Sequence, residues 1–343
     1  MKKIIGCLCC AMVMLMIILV GKASIWDDEV QDIEEQYIIN LEEMPDTIPI
    51  LVENLSRPED FLGEWDLKEN ILRRISGNAI SGTGALYGLC NLRWNGVTIV
   101  ANPQLQPYLV VPDNSSKNII WRSTIDGNGF IDVVELDKKG EYELHVDERR
   151  IPLYLPNLYH IYGAMQKNNK VEMLFIENQP LTDKKETQND YRLKLLELDL
   201  VSGDKQMYNI ENVSEKLMKY LTKQDFFDID IDCINCITVD EDFFLYDEKS
   251  IYKINTNSNI CKRIFSIEES ITEEIYKTYP NIKQTVINSL GFYKGLILVE
   301  FIGENGLGDS FLYIPFIKEP VVYCIPAEGG KMCIFPNFNN EIK

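Results

Sequence analysis

Histidine is nearly absent: the 343 residues hold two, His145 and His160. That scarcity removes most triad chemistry and most imidazole-based metal sites. Basic charge is also in short supply, with 34 Lys and Arg against 53 Asp and Glu, a formal net charge of −19. Such a chain repels phosphate backbones, so no nucleic-acid partner is expected. No P-loop, GxGxxG fingerprint or GxSxG elbow occurs, and the glycine pairs Gly82/Gly84 and Gly306/Gly308 stand alone. No nucleotide or redox cofactor is therefore implied. What is present is globular: 45% hydrophobic residues, 25% charged, 20 Gly and 14 Pro. The length suits one large domain or two ordinary ones.

The one long apolar run is at the start. Residues 1–23 read as Lys2 and Lys3, an uncharged stretch from Ile4 to Val20, then Gly21-Lys22-Ala23. This is the layout of a signal peptide cut after Ala23, or of a single membrane anchor if uncleaved. The lysines before the run and Asp27, Asp28 and Glu29 after it keep the start in the cytoplasm. The rest is sent across, so the expected location is extracytoplasmic, secreted or anchored to the cell membrane. Cys7, Cys9 and Cys10 lie inside the run and leave no lipobox.

Six cysteines follow the leader: Cys90, Cys233, Cys236, Cys261, Cys324 and Cys333. An even number in an exported chain permits up to three disulfides. Cys324 and Cys333 bracket a short turn sequence and could close a hairpin. Cys233 and Cys236 have redox or zinc spacing, but they sit in a strand-like tract with no helix after them and no second ligand pair nearby. Plain strand cysteines fit that context better.

Residues 24–83 form a segment of their own. Over 24–75 there are 15 acids and 4 bases. Trp26 to Met44 has helical apolar spacing and ends at Pro45 and Pro49. Pro58-Glu59-Asp60 opens a second helical stretch to Ile75. An acidic helical stalk, or a segment packed on the main domain, is expected here. Residues 84–343 then turn β-like, with alternating runs such as Val97–Ala101, Tyr108–Val111, Asn118–Ile125, Phe130–Leu136, Glu141–Val146 and Val171–Ile176. Further runs are Leu193–Leu200, Phe243–Tyr246, Ile251–Ile254, Leu296–Phe301 and Phe311–Ile317. That is more than one simple open sheet holds.

An internal echo runs through the β-like region. Val134 to Leu144, Leu196 to Met207 and Tyr252 to Lys262 each read apolar-x-apolar, then Asp137, Asp199 or Asn255, a polar turn and a new strand. Asp or Asn opens such a turn with its own side chain, and Gly or Asn accepts positive φ. The marks are 62 and 56 residues apart, against about 40–50 for ordinary propeller blades. The polar loop Pro180–Asp190, a short helix at Ser214–Lys223 and a helix from a Ser266-x-x-Glu269 capping box to Pro280 account for the excess. The pattern resembles the outer hairpins of exported, six-bladed-type β-propellers of Gram-positive bacteria. Phe243 to Asn255 carries the resemblance best. It implies an all-β propeller of five to seven blades. A pair of β-sandwiches is the alternative.

Three tracts could carry chemistry. Asp126, Asn128, Asp132 and Glu135 fall in calcium-loop register, but Thr124 stands where a carboxylate should open the loop and both flanks are strand-like. A hairpin with an Asp-Gly-Asn-Gly turn is the competing reading. Asp228, Asp230 and Asp232 alternate on one strand face, and Asp240, Glu241 and Asp242 follow soon after; carboxylates this close could hold calcium or supply the acid pair of a carbohydrate-active hydrolase. A solvated face is the plainer reading. Seventeen Tyr, 14 Phe and 4 Trp could pack between sheets or stack on a ligand. The expected function is a non-enzymatic binding scaffold at the cell surface, with a protein or glycan ligand and no cofactor beyond calcium at that loop.

Overall fold

The computed structural model describes residues 38–39, 44–53, 59–74, 80–81, 91–94, 97–100, 119–125, 129–146, 148–180, 189–223, 236–239, 241–304, 308–325 and 331–334. Residues 1–23, the strand expected at Tyr108–Val111 and the acidic run 228–232 lie outside them. Everything below concerns the unit Glu35–Lys343. Among the described residues no helix is long and apolar enough to cross a membrane.

The chain is all-β, built from antiparallel sheets of consecutive strands. Sheet one contains β1 (Thr47–Glu53), β2 (Glu59–Asp66) and β3 (Ile71–Arg74), with β4 (Ile80–Ser81) paired to β2. Sheet two is the pair β5 (Asn91–Trp94) and β6 (Val97–Val100). Sheet three holds β7 (Ile119–Ile125), β8 (Gly129–Glu135), β9 (Glu141–Val146) and β10 (Arg149–Tyr154). Sheet four holds β11 (Leu158–Lys167), β12 (Lys170–Pro180), β13 (Asn189–Asp199) and β14 (Lys205–Asn209). Sheet five holds β15 (Cys236–Val239), β16 (Asp242–Tyr246), β17 (Ser250–Asn255) and β18 (Ile260–Ser266). Sheet six holds β19 (Thr285–Tyr293), β20 (Leu296–Gly303), β21 (Ser310–Ile314) and β22 (Val321–Ile325). The last strand, β23 (Lys331–Ile334), returns to pair with β1.

First strands lie side by side: β7 by β11, β11 by β15, β15 by β19 and β19 by β23. Sheets three to six stack face to face through three apolar seams. Between sheets three and four, Ile131, Val133 and Leu144 meet Met173, Phe175 and Leu196. Between four and five, Leu174, Ile176 and Leu195 meet Phe243, Leu245 and Ile254. Between five and six, Phe244, Phe265 and Ile251 meet Phe301, Tyr313 and Val299. This stacking explains the sequence texture. Strands between two neighbours are buried on both faces, so β16 and β20 read as near-continuous apolar runs, whereas the outlying β14 is largely exposed.

The echoed turns form as the sequence suggests. Asp199 Oδ1 accepts from Val201 N and Ser202 N, and Gly203 follows at φ 76°. Asn255 Oδ1 accepts from Ser258 N, and Asn259 takes φ 57°. Gly140 closes the Asp137 turn at φ 82°. A fourth copy occurs where a helix is expected. Asp66 Oδ1 accepts from Lys68 N and Glu69 N, and Asn70 has φ 52°. The stretch 59–74 is therefore the hairpin β2–β3, held by Trp65 Nε1 on Asn70 Oδ1 and by Asn70 Nδ2 on the Val322 carbonyl. Pro58-Glu59-Asp60 suggested a helix start there, but strand pairing to β1 and the buried Trp65 decide otherwise.

Two further expectations are corrected. Cys324 is a free thiol. It lies on β22, which pairs with β21, while Cys333 lies on β23, which pairs with β1, so the two do not close a hairpin. The Ser266-x-x-Glu269 box does not cap by its side chains. Ser266 opens the short helix α2 (Ile267–Ser270; the preceding helix, α1, is Glu215–Lys223) without a side-chain cap. Glu269 is drawn instead to Arg263 at 3.2 Å. The helix after it, α3 (Glu273–Thr278), is capped by Thr272, and Pro280 starts a 3-10 turn rather than merely stopping a helix.

Candidate functional site

In sheets four, five and six, the turns joining first to second and third to fourth strands are short and share one end. The opposite end carries the connections that break the repeat: residues 181–188, the segment holding α1, and the α2–α3 segment. This loop end is where chemistry could be presented, because loops on a rigid sheet are free of ladder duties.

Helix α1 is placed there by three devices. Ser214 Oγ accepts from Leu217 N and caps its start. Leu217 and Leu221 bury its apolar side between sheets four and five. Its final carbonyls accept from tyrosine hydroxyls: Tyr162 to Leu221 O at 2.8 Å and Tyr159 to Thr222 O at 3.2 Å. Both tyrosines sit where β11 slips register, between Leu158/His160 and Ile161/Gly163. A bulge redirects a side chain that a regular strand would send elsewhere.

Tyr159 meets Tyr191 edge to face at 4.9 Å, and His160 meets Tyr162 at 4.8 Å. Burial drives the His160 pKa down to about 4, so its ring is uncharged at neutral pH. Tyr162 is buried and the Tyr159 and Tyr162 hydroxyls are engaged by α1, so what the cluster leaves at the loop end is the half-buried rings of Tyr159, His160 and Tyr191. In the β16–β17 turn, Asp247 is 1% exposed. Its Oδ1 accepts from Lys249 N and Ser250 N, and its Oδ2 accepts from Tyr252 Oη at 2.9 Å, with Lys216 Nζ at 3.8 Å. Burial first, and then the Asp247 charge, push the Tyr252 phenol upward. This set is committed to holding the β16–β17 turn.

The carboxylates singled out from sequence are dispersed. Asp126 and Asn128 lie outside the described residues. The tract around them is a hairpin, with Ile125 opposite Gly129. Asp132 is buried opposite His145, whereas Glu135 is exposed. Three residues apart on one strand, they point to opposite faces. Asp240 lies outside the described residues. Glu241 pairs with Lys167, and Asp242 with Lys253 at 2.8 Å. His145 binds Glu143 at 3.0 Å. Cys233 lies outside the described residues. Cys236 starts β15, fully buried, and burial raises its thiol far above the reactive range. Burial also pushes Cys261 up to about 12. Among the described residues, no three His, Cys, Asp or Glu side chains are grouped to hold a metal ion.

Sequence reasoning missed two glutamates on β12. Glu177 is paired with Lys194 at 2.6 Å, both largely buried. Desolvation alone would raise its carboxyl, but hydrogen bonds from Lys194 and Gln179 hold it below the usual range. Glu172 is 6% exposed, and its Oε2 has no hydrogen-bond partner. Burial raises its carboxyl above the usual range. The only sequence signal was two carboxylates bracketing the apolar run Met173–Ile176.

No family model and no curated protein matches the chain. Solved structures that align with it include a Synechocystis apocarotenoid oxygenase (ACO) in cobalt-substituted form, at 10% identity over 82% of this chain and 59% of that one, with a TM-score of 0.34. An ACO/RPE65 chimera gives 10% identity, the same coverage and a TM-score of 0.33. The chain spans about three fifths of the length of those proteins. At such scores the likeness carries no argument about this chain.

Proposed function

We propose that the chain is a six-bladed β-propeller acting outside the cytoplasm as a non-enzymatic binding scaffold, presenting its loop end to a protein or glycan at the cell surface. Three features support the propeller reading over a pair of sandwiches. Successive four-stranded meanders stack with their first strands adjacent, the described residues form six sheets, and β23 pairs with β1. Pairing the last strand to the first is how a ring of blades would close. The basic leader and apolar run of residues 1–23 support export.

The observation that carries the binding reading is the one-sided placement of the long connections, with Tyr159, Tyr191, His160 and Tyr162 gathered beside them. Tyrosines with an apolar body and a polar tip suit sugar rings and peptide side chains alike. A glycan array and generic glycoside substrates, tried together on the purified chain, test this. Binding without turnover that is lost in Tyr191→Ala supports the scaffold. Turnover abolished by one acid-to-amide change overturns it in favour of a hydrolase.

A further inference from the structure

Glu172 lies in the seam between sheets four and five, near the end with the short turns. On its own sheet it stands opposite Met165 of β11 and Glu197 of β13. A directly opposed pair of glutamates is repulsive when both are ionised. From sheet five, the β15–β16 turn brings Glu241 and the β17–β18 turn brings Thr256. Lys167 at the end of β11 is the one cation acting on Glu172, and it is joined in an ion pair to Glu241. Lys170 is likewise held by Glu197, at 2.7 Å. The charged groups facing Glu172 are thus Glu197, Glu241 and the already engaged Lys167.

The hydroxyl of Thr256 sharpens the picture. It donates its single proton to the Glu241 carbonyl at 3.0 Å. It also stands within hydrogen-bonding reach of Glu172. With its proton committed, it offers Glu172 only lone pairs. A carboxylate could take that proton only by breaking the bond to the Glu241 carbonyl, and its buried Oε2 would stay without a partner. A carboxylic acid could donate to the Thr256 oxygen and would also relieve the repulsion from Glu197 and Glu241. Burial favours the same neutral form.

We propose that the seam between sheets four and five is a proton-operated joint, closed while Glu172 carries its proton and loosened at its short-turn end when that proton passes to solvent. Ionisation places a buried negative charge beside Glu197 and Glu241, offset by Lys167, which Glu241 already engages. The relief available is separation of the β11–β12 turn from the two facing turns of sheet five. Because the raised affinity belongs to the folded state, the contribution is complete below the ordinary glutamate range. It is lost as pH rises through the elevated value of Glu172.

The test follows hydrogen exchange at the β11–β12 and β15–β16 turn amides in the full chain and in Glu172→Gln, from pH 4 to 8. Taking the ratio of the two proteins at each pH cancels the intrinsic change in exchange. The ratio is expected to sit near unity at low pH. It should then climb by up to about tenfold per pH unit above the titration, as one proton is lost. In the wild type, isotope labelling of glutamate carboxyl groups should show one of them titrating above the exposed set and vanishing in Glu172→Gln. A flat exchange ratio overturns the joint. So does a Glu172 carboxyl that titrates with the exposed glutamates, a result that stands even if the variant folds poorly.

Discussion

Glu172 and Glu177 sit five residues apart on β12, on opposite faces of one strand, each near one end of an apolar seam. Glu177, on the side toward sheet three, has Lys194 at 2.6 Å and a hydrogen bond from Gln179. Glu172, on the side toward sheet five, faces two further carboxylates and a lysine already taken. Desolvation acts on both in the same direction, yet the two carboxyls move oppositely, Glu177 down and Glu172 up. The partner therefore decides the sign, and burial alone does not. One seam of sheet four is locked by ionisation and the other by protonation. The centre of the seam between sheets five and six is aromatic, with Phe265 stacked on Phe301 at 6.2 Å and meeting Tyr313 and Phe316 at 6.0 and 6.1 Å, and the ion pair of Lys249 with Glu304 lies at its loop end.

The largest effect is expected at the aromatic centre of the seam between sheets five and six. Phe265→Ala should cost about 3–5 kcal/mol by cavity formation. Denaturant unfolding at pH 5 and pH 8 should give the same loss; a pH-dependent loss would blur the distinction between the seams. Next comes Lys194→Met, which strands Glu177 in a mostly dry place. A loss of roughly 2–4 kcal/mol at neutral pH is expected from breaking such a pair. Glu177 is held down in the folded state, so its stabilising contribution is present above the ordinary glutamate range and lost as pH falls. The cost of Lys194→Met should accordingly shrink in acid, and a cost that is constant with pH would refute the ion-pair lock. A steric change in the seam between sheets four and five is smaller. A Cβ on Gly163 would lie 3.0 Å from Cys236 Sγ and 3.2 Å from the Phe243 ring. Gly163→Ala should cost about 1–3 kcal/mol by overpacking, and a neutral thermal shift would mean that β11 and β15 can part freely.

These contrasts were only half visible in the sequence. The all-β texture was legible because strands stacked on both faces must be apolar throughout, as in Phe243–Tyr246 and Leu296–Phe301. The Asp137, Asp199 and Asn255 turns were legible because their chemistry is local. The Asp66–Asn70 copy escaped because acidic flanks masked Trp65, whose burial depends on a tertiary bond from Asn70 to Val322. The return of β23 to β1 could not be read, since it joins residues almost 300 positions apart. The loop-end tyrosines depend on bulges in β11 that no residue type announces. Glu172 and Glu177 look alike in sequence. Their difference comes from Lys194, two positions along β13 from the partner of Glu177, and from turns of a different sheet.

The finest discrimination concerns the direction of one hydrogen bond. Thr256→Val removes a hydroxyl from the seam while keeping its volume, and the net effect on stability should be about 1 kcal/mol or less. Its value lies in the sign of what it does to Glu172. If the hydroxyl accepts from a protonated Glu172, deleting it weakens the neutral form, and the carboxyl should titrate at lower pH than in the wild type. If the hydroxyl donates to an ionised Glu172, deleting it weakens the charged form, and the carboxyl should titrate at higher pH. The bond from Thr256 Oγ1 to the Glu241 carbonyl commits the proton elsewhere, so the downward shift is the expected outcome. An upward shift would mean that Thr256 turns its proton to Glu172 instead. The two glutamates of β12 would then differ only in how well each carboxylate is served by donors.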